Sequence, residues 1–365
     1  MRAIYFDAKR YAYNPSGLGN YSRELVHHLV KSYPERDFHL LIPKSDKKYI
    51  QDPPQTNNLQ THRYNNLLGI NRTFRLESFV EKGSIVHGLS NEMSYRSTSN
   101  QNKHIVTIHD VIFREFPQDF GLWDRQIFHF KTQYAVKNAD HILCISNETL
   151  QDLIRYYDVD KRKCSVVNPI VSSQKQSSKR IDISAWIDCP PKEFFVCVGS
   201  MHSRKNLSVL LDVYKLLPEE FRIPLYCIGL GRHAALFQRQ IAAFGLTKQI
   251  KIINYIDQAV LAQMVKDAYA LLYPSLKEGF GLPVLEAVRC GTPFIANQME
   301  SVREAGGDAG LYCDCKNPEA LRNSIMTILQ DTSLVQSLNS KAKQWEMIKK
   351  DQNPVQKIIE IYNSL

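Results

Sequence analysis

Tyr273-Pro274-Ser275-Leu276-Lys277-Glu278-Gly279-Phe280-Gly281-Leu282-Pro283-Val284-Leu285-Glu286-Ala287 runs from an apolar strand, through a loop with two glycines, into a helix. The strand ends at Tyr273. Pro283 falls in the first helical turn, where its missing N–H and fixed φ are welcome. Cys290-Gly291-Thr292-Pro293 closes the helix with a glycine just past its end. Such a loop leaves backbone N–H groups free at a helix N-terminus, which is an anion site. Glu278 and Glu286 flank it, eight positions apart. Carboxylates accept hydrogen bonds from hydroxyl pairs such as those of a ribose or a hexose. A capped loop with a solvated glutamate is the plainer alternative.

A second junction of this kind is Val198-Gly199-Ser200-Met201-His202-Ser203-Arg204-Lys205-Asn206, between an apolar strand and an expected helix Leu207–Leu217. Arg204 and Lys205 oppose the dipole at a helix start, so they cost stability there. A local rule broken at a helix start points to function. Two cations at the carboxyl end of a strand suit a diphosphate. An exposed basic turn would read the same way.

Outward from these loops, short apolar runs alternate with amphipathic stretches. In the first half the runs are Ala3–Phe6, Phe38–Ile42, Ser84–His87, His104–Ile108, His141–Ile145 and Ser165–Val167. In the second they are Phe194–Val198, Leu225–Ile228, Ile250–Ile253, Ala270–Tyr273, Pro293–Ala296 and Gly310–Tyr312. Several are apolar on both faces, as parallel strands covered by helices must be. Leu18, Tyr21, Leu25 and Leu29 form a helical stripe, as do Leu207, Leu210, Leu211, Tyr214 and Leu217. Strand–helix alternation twice over predicts an α/β protein of two doubly wound, Rossmann-like domains. The serine-rich, aperiodic stretch from Val171 to Arg180 marks the break. The expected organisation is a first domain over 1–171, a linker over 172–190, a second domain over 191–345, and a last segment over 346–365. In that segment Val355, Ile358, Ile359 and Tyr362 form a stripe that needs the first domain as its partner.

The length of 365 residues also suggests two domains, at roughly 150 residues each. An apolar fraction of 44% and a charged fraction of 23% exclude disordered, collagen-like and disulfide-stapled chains. The net charge of +9 suits an anionic partner without choosing one. The lysines and arginines are scattered, without the basic stripe and stacking aromatics of a nucleic-acid binder, so no nucleic-acid partner is expected. Of the eight cysteines only Cys313 and Cys315 are close, with no second pair or histidine cluster beside them, so free thiols are expected and no metal site. No signal peptide is apparent, and no run approaches the roughly 18 apolar residues of a membrane span. The expected location is cytoplasmic.

Two stretches of the first half complete the reading. Pro15-Ser16-Gly17-Leu18-Gly19-Asn20-Tyr21 opens a helix after the first strand, and its paired glycines let backbone approach a ligand closely. Thr107-Ile108-His109-Asp110 ends a strand, and a lone histidine there is usually structural. Ser146-Asn147-Glu148-Thr149 fits a capping box poorly but reads as a helix start.

Together these residues resemble the retaining nucleotide-sugar glycosyltransferases of family 4, which share the two-domain GT-B fold. Glu278 and Glu286 match the family's E-x₇-E motif, and Arg204 and Lys205 its R-K-N segment. Asp257…Leu261…Asp267-Ala268-Tyr269-Ala270…Pro274-Ser275 and Glu304-Ala305-Gly306-Gly307-Asp308-Ala309-Gly310-Leu311 are similar too. The chain departs from the family at Asn168-Pro169-Ile170-Val171, where Asn-Gly-Val-Asp is common.

The resemblance implies two domains facing a cleft and a front-face reaction through an oxocarbenium-like step, without metal or other cofactor. It implies catalytic roles for His109, Arg204, Lys205 and Glu278. Donor binding would fall to Gly17, Gly19, Gly199, Arg204, Lys205, Glu278, Gly279, Phe280, Gly281, Leu282 and Glu286. The expected donor is GDP-mannose, with a UDP-hexose as the alternative. The expected acceptor is a saccharide, lipid-linked, in surface-polysaccharide synthesis. A non-catalytic nucleotide-sugar-binding subunit is the remaining alternative, although such a chain would be expected to lose Glu278, Arg204 or Lys205. A lipid-linked acceptor implies peripheral contact with the inner face of the membrane. Candidates for it are Lys44, Lys47, Lys48, Arg63, Arg72, Arg75 and Arg96, near Leu67, Leu68, Ile70 and Phe74.

Overall fold

The apolar runs become strands because both of their faces are covered. Ile4–Asp7 (β1), Phe38–Pro43 (β2) and Ile85–Gly88 (β4) are buried at every position. The computed structural model describes residues 1–45, 52–65, 76–96, 101–170, 180–254 and 256–365. Among them, β3 (Leu59–Tyr64), β5 (Lys103–Ile108), β6 (His141–Cys144) and β7 (Cys164–Val166) complete a seven-stranded sheet of order β3-β2-β1-β4-β5-β6-β7. A second sheet is built from β8 (Phe195–Val198), β9 (Leu225–Ile228), β10 (Ile250–Ile253), β11 (Ala270–Tyr273), β12 (Phe294–Asn297) and β13 (Gly310–Cys313), in the order β10-β9-β8-β11-β12-β13. All pairings are parallel. The chain thus divides into two α/β units, Met1–Val171 with Asn353–Leu365, and Ser172–Gln352.

In each sheet the strand order reverses once, between β1 and β4 and between β8 and β11. Loops leaving the carboxyl ends of the strands at such a switch point diverge and leave room for a ligand. The two loops singled out in the sequence, after Val198 and after Tyr273, leave β8 and β11 and so border the switch point of the second sheet.

Several expectations need correction. β3 was not among the expected strands. It lies at the sheet edge, and Gln60, Thr61, His62 and Arg63 are not buried, so its sequence lacks the apolar signal of an inner strand. The helix expected from Leu207 starts at Val209 and ends at Leu216. Ser146 caps its helix well, since its side chain accepts the Thr149 N–H at 3.0 Å. All eight cysteines are free thiols. Most of the linker (172–179) lies outside the described residues, as do Lys47, Lys48, Leu67, Leu68, Ile70, Arg72, Phe74 and Arg75 of the expected membrane contact.

Trp345, the expected end of the second domain, lies inside a helix that runs Thr332–Asp351. Its indole N–H donates to the Ala305 carbonyl at 3.1 Å. The chain breaks at Asn353, left-handed at φ 36°, whose side chain caps a final helix Pro354–Ser364. Val355, Ile358, Ile359, Ile361 and Tyr362 of this helix are buried in the first unit. The Tyr362 hydroxyl lies 2.6 Å from His87 Nδ1, Arg36 donates to Asn363 Oδ1 at 2.5 Å, and Lys357 donates to the Val166 carbonyl at 2.9 Å. Truncation after Gln352 removes the burial of five apolar side chains, worth roughly 8–15 kcal/mol as an upper bound. It also strands the buried His87 and Arg36. The truncated chain is expected to lose the cooperative melt of the first unit in calorimetry; an unchanged melt would show that the helix is dispensable.

Candidate active site

The loop after β8 is shaped by its glycine. Gly199 has φ 146°, which side-chain-bearing residues rarely adopt, and a Cβ there would come within 3.0 Å of Lys205 Nζ. At the end of β9, a Cβ on Gly229 would meet the Gly199 carbonyl oxygen at 2.0 Å, so the two strand ends can lie side by side only with glycine at 229. The chain then makes a single 3₁₀ turn, Ser203–Lys205, that ends on Asn206 in the left-handed conformation. Asn206 Nδ2 donates to the Cys315 carbonyl at 2.8 Å, tying the turn to the end of β13. The Arg204 carbonyl accepts the Leu276 N–H at 2.7 Å, joining this turn to the loop after β11. Arg204 and Lys205 therefore sit in a turn before the helix rather than on its first residues.

Both cations converge on one carboxylate. Arg204 Nη1 lies 3.1 Å from Glu278 Oε2 and 3.2 Å from the Lys277 carbonyl. Lys205 Nζ pairs with Glu278 Oε1, donates to the Tyr273 hydroxyl at 3.4 Å, and lies 5.0 Å from the centre of the Tyr273 ring. Lys205, Tyr273, Ser275 and Glu278 are all buried. Burial alone would push the Glu278 carboxyl up. The Lys205 and Arg204 charges, with hydrogen bonds from Lys205 and Ser275, outweigh it and hold the group at about 2. Burial draws the Lys205 ammonium down from its ordinary value, opposed by Glu278. The result is a charged, desolvated cluster at the switch point of the sheet.

The loop continues through Gly279 and the buried Phe280, whose ring lies 5.9 Å from Lys349 Nζ. Gly281, at φ 103°, is the N-cap of the helix Leu282–Cys290. Leu282 opens the helix. Glu286 lies in its second turn, half-buried. The second unit thus gathers Gly199, Arg204, Lys205 and Glu278 and sets the 279–282 loop directly after them.

Gly17, Gly19 and His109 belong to the first unit. Gly17 opens the helix Gly17–Ser32. A Cβ on Gly19 would meet the Asn14 carbonyl oxygen at 1.9 Å, and Asn14 Oδ1 accepts from the Ser16 and Gly19 N–H groups at 2.8 and 3.3 Å. The close backbone approach expected at this glycine pair is thus made by the chain itself. His109, buried at the end of β5, has Nε2 2.9 Å from the Leu89 carbonyl. A carbonyl can only accept, so Nε2 carries the proton and Nδ1 is an acceptor in the neutral ring. Burial, against the Leu89 hydrogen bond and with help from Arg10, pulls His109 down to about 4, so it is neutral at pH 7.

Sequence reasoning missed Tyr273 and Ser275 as partners of the charged cluster, and Asn14 and Asn206 as the side chains that hold the two loops. An asparagine at a strand–helix junction was the available signal, because it tolerates left-handed backbone and caps N–H groups.

Comparison with known proteins follows the same division. Residues 15–175 match the family model described as Glycosyltransferase Family 4, and residues 188–345 match that of Glycosyl transferases group 1. The O-antigen chain mannosyltransferase B of Escherichia coli is 26% identical over 353 residues, covering 90% of this chain and 91% of the relative. Among solved structures, WaaG, a glycosyltransferase involved in lipopolysaccharide biosynthesis, superposes with a TM-score of 0.74 at 14% identity, covering 99% of each chain. Anabaena HepE in complex with UDP-glucose superposes with a TM-score of 0.71 at 15% identity over the full length of both. With two parallel α/β units of the GT-B type and a family model matched by each half, the chain belongs to the family 4 and group 1 glycosyltransferases.

Proposed function

We propose that the chain transfers mannose from GDP-mannose to a saccharide acceptor, with retention of anomeric configuration, in the synthesis of a bacterial surface polysaccharide. The observation that carries this reading is the pair of cations, Arg204 and Lys205, held on Glu278 at the carboxyl end of β8. Negative charge develops on the departing diphosphate as the glycosidic bond of the donor breaks. Preorganised, desolvated cations stabilise that charge without reorganising at the moment of reaction. The reading therefore includes no metal ion or other cofactor. Glu278, fully ionised, accepts from hydroxyls of the donor hexose beside the 279–281 backbone, and Glu286 accepts from the ribose. His109 presents Nδ1 as an acceptor toward the donor sugar. No side chain serves as nucleophile, in keeping with a front-face, oxocarbenium-like step.

The choice of mannose rests on the E. coli relative, an O-antigen chain mannosyltransferase. A UDP-hexose is the second reading, favoured by HepE, whose structure holds UDP-glucose. The acceptor in this reading is lipid-linked and is met at the inner face of the cytoplasmic membrane.

A thermal-shift panel of GDP-mannose, UDP-glucose and ADP-glucose in the presence of EDTA tests the donor. A ligand at 100 times its Kd adds about 2.7 kcal/mol of stability, enough to raise Tm by a few degrees. GDP-mannose is expected to give the largest shift. A shift with UDP-glucose alone moves the assignment to the second reading, and no shift with any of the three overturns both. Turnover is expected to survive chelation; activity lost to EDTA and restored by Mn²⁺ would refute the metal-free mechanism.

A further inference from the structure

The helix Leu122–Asn138 is apolar on two opposite sides. Its inner side buries Thr132, Ala135 and Val136 against the first sheet, and Phe128 packs edge-on against Phe120. On the outer side Trp123, Ile127 and Phe130 follow at i, i+4 and i+7 and so share one stripe, which Tyr134, partly buried against the core, continues at i+11. Trp123 is 82% exposed, Phe130 63% and Ile127 47%, with Leu122 beside them at 71%. A monomeric protein seldom leaves a contiguous apolar patch of this kind in water.

The charges around the stripe suggest what covers it. Helical spacing places Lys131 on one flank and Lys137 on the other. The turn Lys161–Lys163 abuts the end of the helix, where Lys163 Nζ donates to the Val136 carbonyl at 2.5 Å and the Ala139 carbonyl at 3.4 Å. Nearby acids are engaged: Glu92 with Lys131 at 3.1 Å, Asp160 with Arg162 at 2.8 Å and Glu115 with Arg155 at 3.7 Å. Asp124 lies on the helix itself. At the far end, Tyr134 stacks on Tyr95 with ring centres 4.4 Å apart, giving the stripe a tryptophan near one end and two tyrosines at the other. Aromatic ends, an apolar middle and lysine flanks match the boundary between lipid headgroups and acyl chains.

We propose that this outer stripe docks the protein on an anionic lipid bilayer, with Trp123, Ile127 and Phe130 inserted at the headgroup level and Lys137 with the 161–163 turn held over the anionic headgroups. No helix of the described residues is long and apolar enough to cross a membrane, so this contact lies on the surface. The contact expected from sequence falls instead on Lys44, Lys47, Lys48, Arg63, Arg72, Arg75 and Arg96; of these, Arg96 adjoins the stripe, its backbone N–H donating to the Tyr134 hydroxyl at 2.8 Å. It deepens the reading of a lipid-linked acceptor, yet vesicle binding requires neither donor nor turnover. A protein that binds GDP-mannose but no vesicles would therefore overturn the docking surface alone.

The test is co-sedimentation of the full chain with vesicles of phosphatidylethanolamine and phosphatidylglycerol, and with neutral phosphatidylcholine vesicles, at low and high salt. Binding is expected to the anionic vesicles, weakened by salt. The double variant Trp123→Ser with Phe130→Ser is expected to weaken it roughly tenfold or more, since two apolar anchors are lost. Lys137→Glu is expected to weaken it and flatten its salt dependence. Because all three residues are exposed, the variants keep the wild-type melt. Tryptophan emission is expected to shift to the blue on adding anionic vesicles, and the shift should vanish in Trp123→Phe. No sedimentation with anionic vesicles at low salt, or undiminished binding by the double variant, overturns the proposal. So does a concentration-dependent dimer that the double variant abolishes, because a second copy of the chain would then cover the stripe.

Discussion

Lys205→Met is expected to lower turnover by about two to three orders of magnitude, and Arg204→Ala by a similar factor, each measured per folded molecule. Lys205 Nζ is buried and poised by the Glu278 carboxylate and the Tyr273 ring, so its position is fixed before any donor arrives. Methionine keeps the length of the stem and removes the charge. Breaking a buried pair from one side costs about 3–5 kcal/mol when the remaining charge is left alone. Here Arg204 still faces Glu278 at 3.1 Å, so the cost is smaller and a folded protein is expected. Glu278→Gln separates charge from mere packing. It leaves two cations facing a neutral amide, so GDP, which carries the ribose and diphosphate but no hexose, is expected to bind more tightly while turnover falls. Near-normal turnover in both cation variants would sink the diphosphate assignment. A Glu278→Gln protein with weaker GDP binding would show that the carboxylate positions the cations rather than competing for them.

The legible part of this molecule was the part governed by repetition. Parallel strands buried on both faces announce themselves as apolar runs, so the inner strands of both sheets and the switch-point loops after Val198 and Tyr273 could be placed from sequence. β3 escaped because an edge strand needs no apolar outer positions. Glu278, Arg204 and Lys205 stood out as charges at helix starts, but their mutual pairing was not readable. It depends on β8 and β11 being neighbours although 71 residues of sequence lie between Val198 and Ala270. The roles of Asn14 and Asn206 are set by local backbone geometry that one side chain satisfies, and no periodicity reports it. The outer stripe of the helix Leu122–Asn138 is the converse case. Its residues are plainly apolar in sequence, but only the fold says which of the helix's two apolar sides is spent on the core.

Acidification is expected to open the first unit before the second. His87 is buried in β4, and burial, reinforced by the nearby His109, draws it down to about 3. Its Nε2 lies 2.9 Å from Thr107 Oγ1 and its Nδ1 2.6 Å from the Tyr362 hydroxyl. Tyr21 lies 3.3 Å from the same threonine and packs edge-on against His109. Both histidines are neutral in the folded chain and take up protons near 6.5 once unfolded. The unfolded state therefore binds more protons below about pH 6.5, and the stability these residues confer is full above that pH and lost as pH falls toward 4 and 3. At about 1.4 kcal/mol per pH unit of depression, the two together are worth several kcal/mol, comparable to the net stability of a domain. In the second unit Glu278 has the same sign and a lower window, with its contribution present above about 4.5 and lost between there and about 2. Hydrogen exchange followed by mass spectrometry between pH 7 and 4.5, corrected for the intrinsic rate, should thus show protection falling in peptides from β4, β5 and the helix Pro354–Ser364, while β8 and β11 stay protected. His87→Gln, which does not titrate, should flatten the pH dependence of the first unit while lowering its stability at pH 7. Equal protection of both units down to pH 4.5 would refute the assignment of His87 and His109 as the buried neutral pair that sets the acid limit.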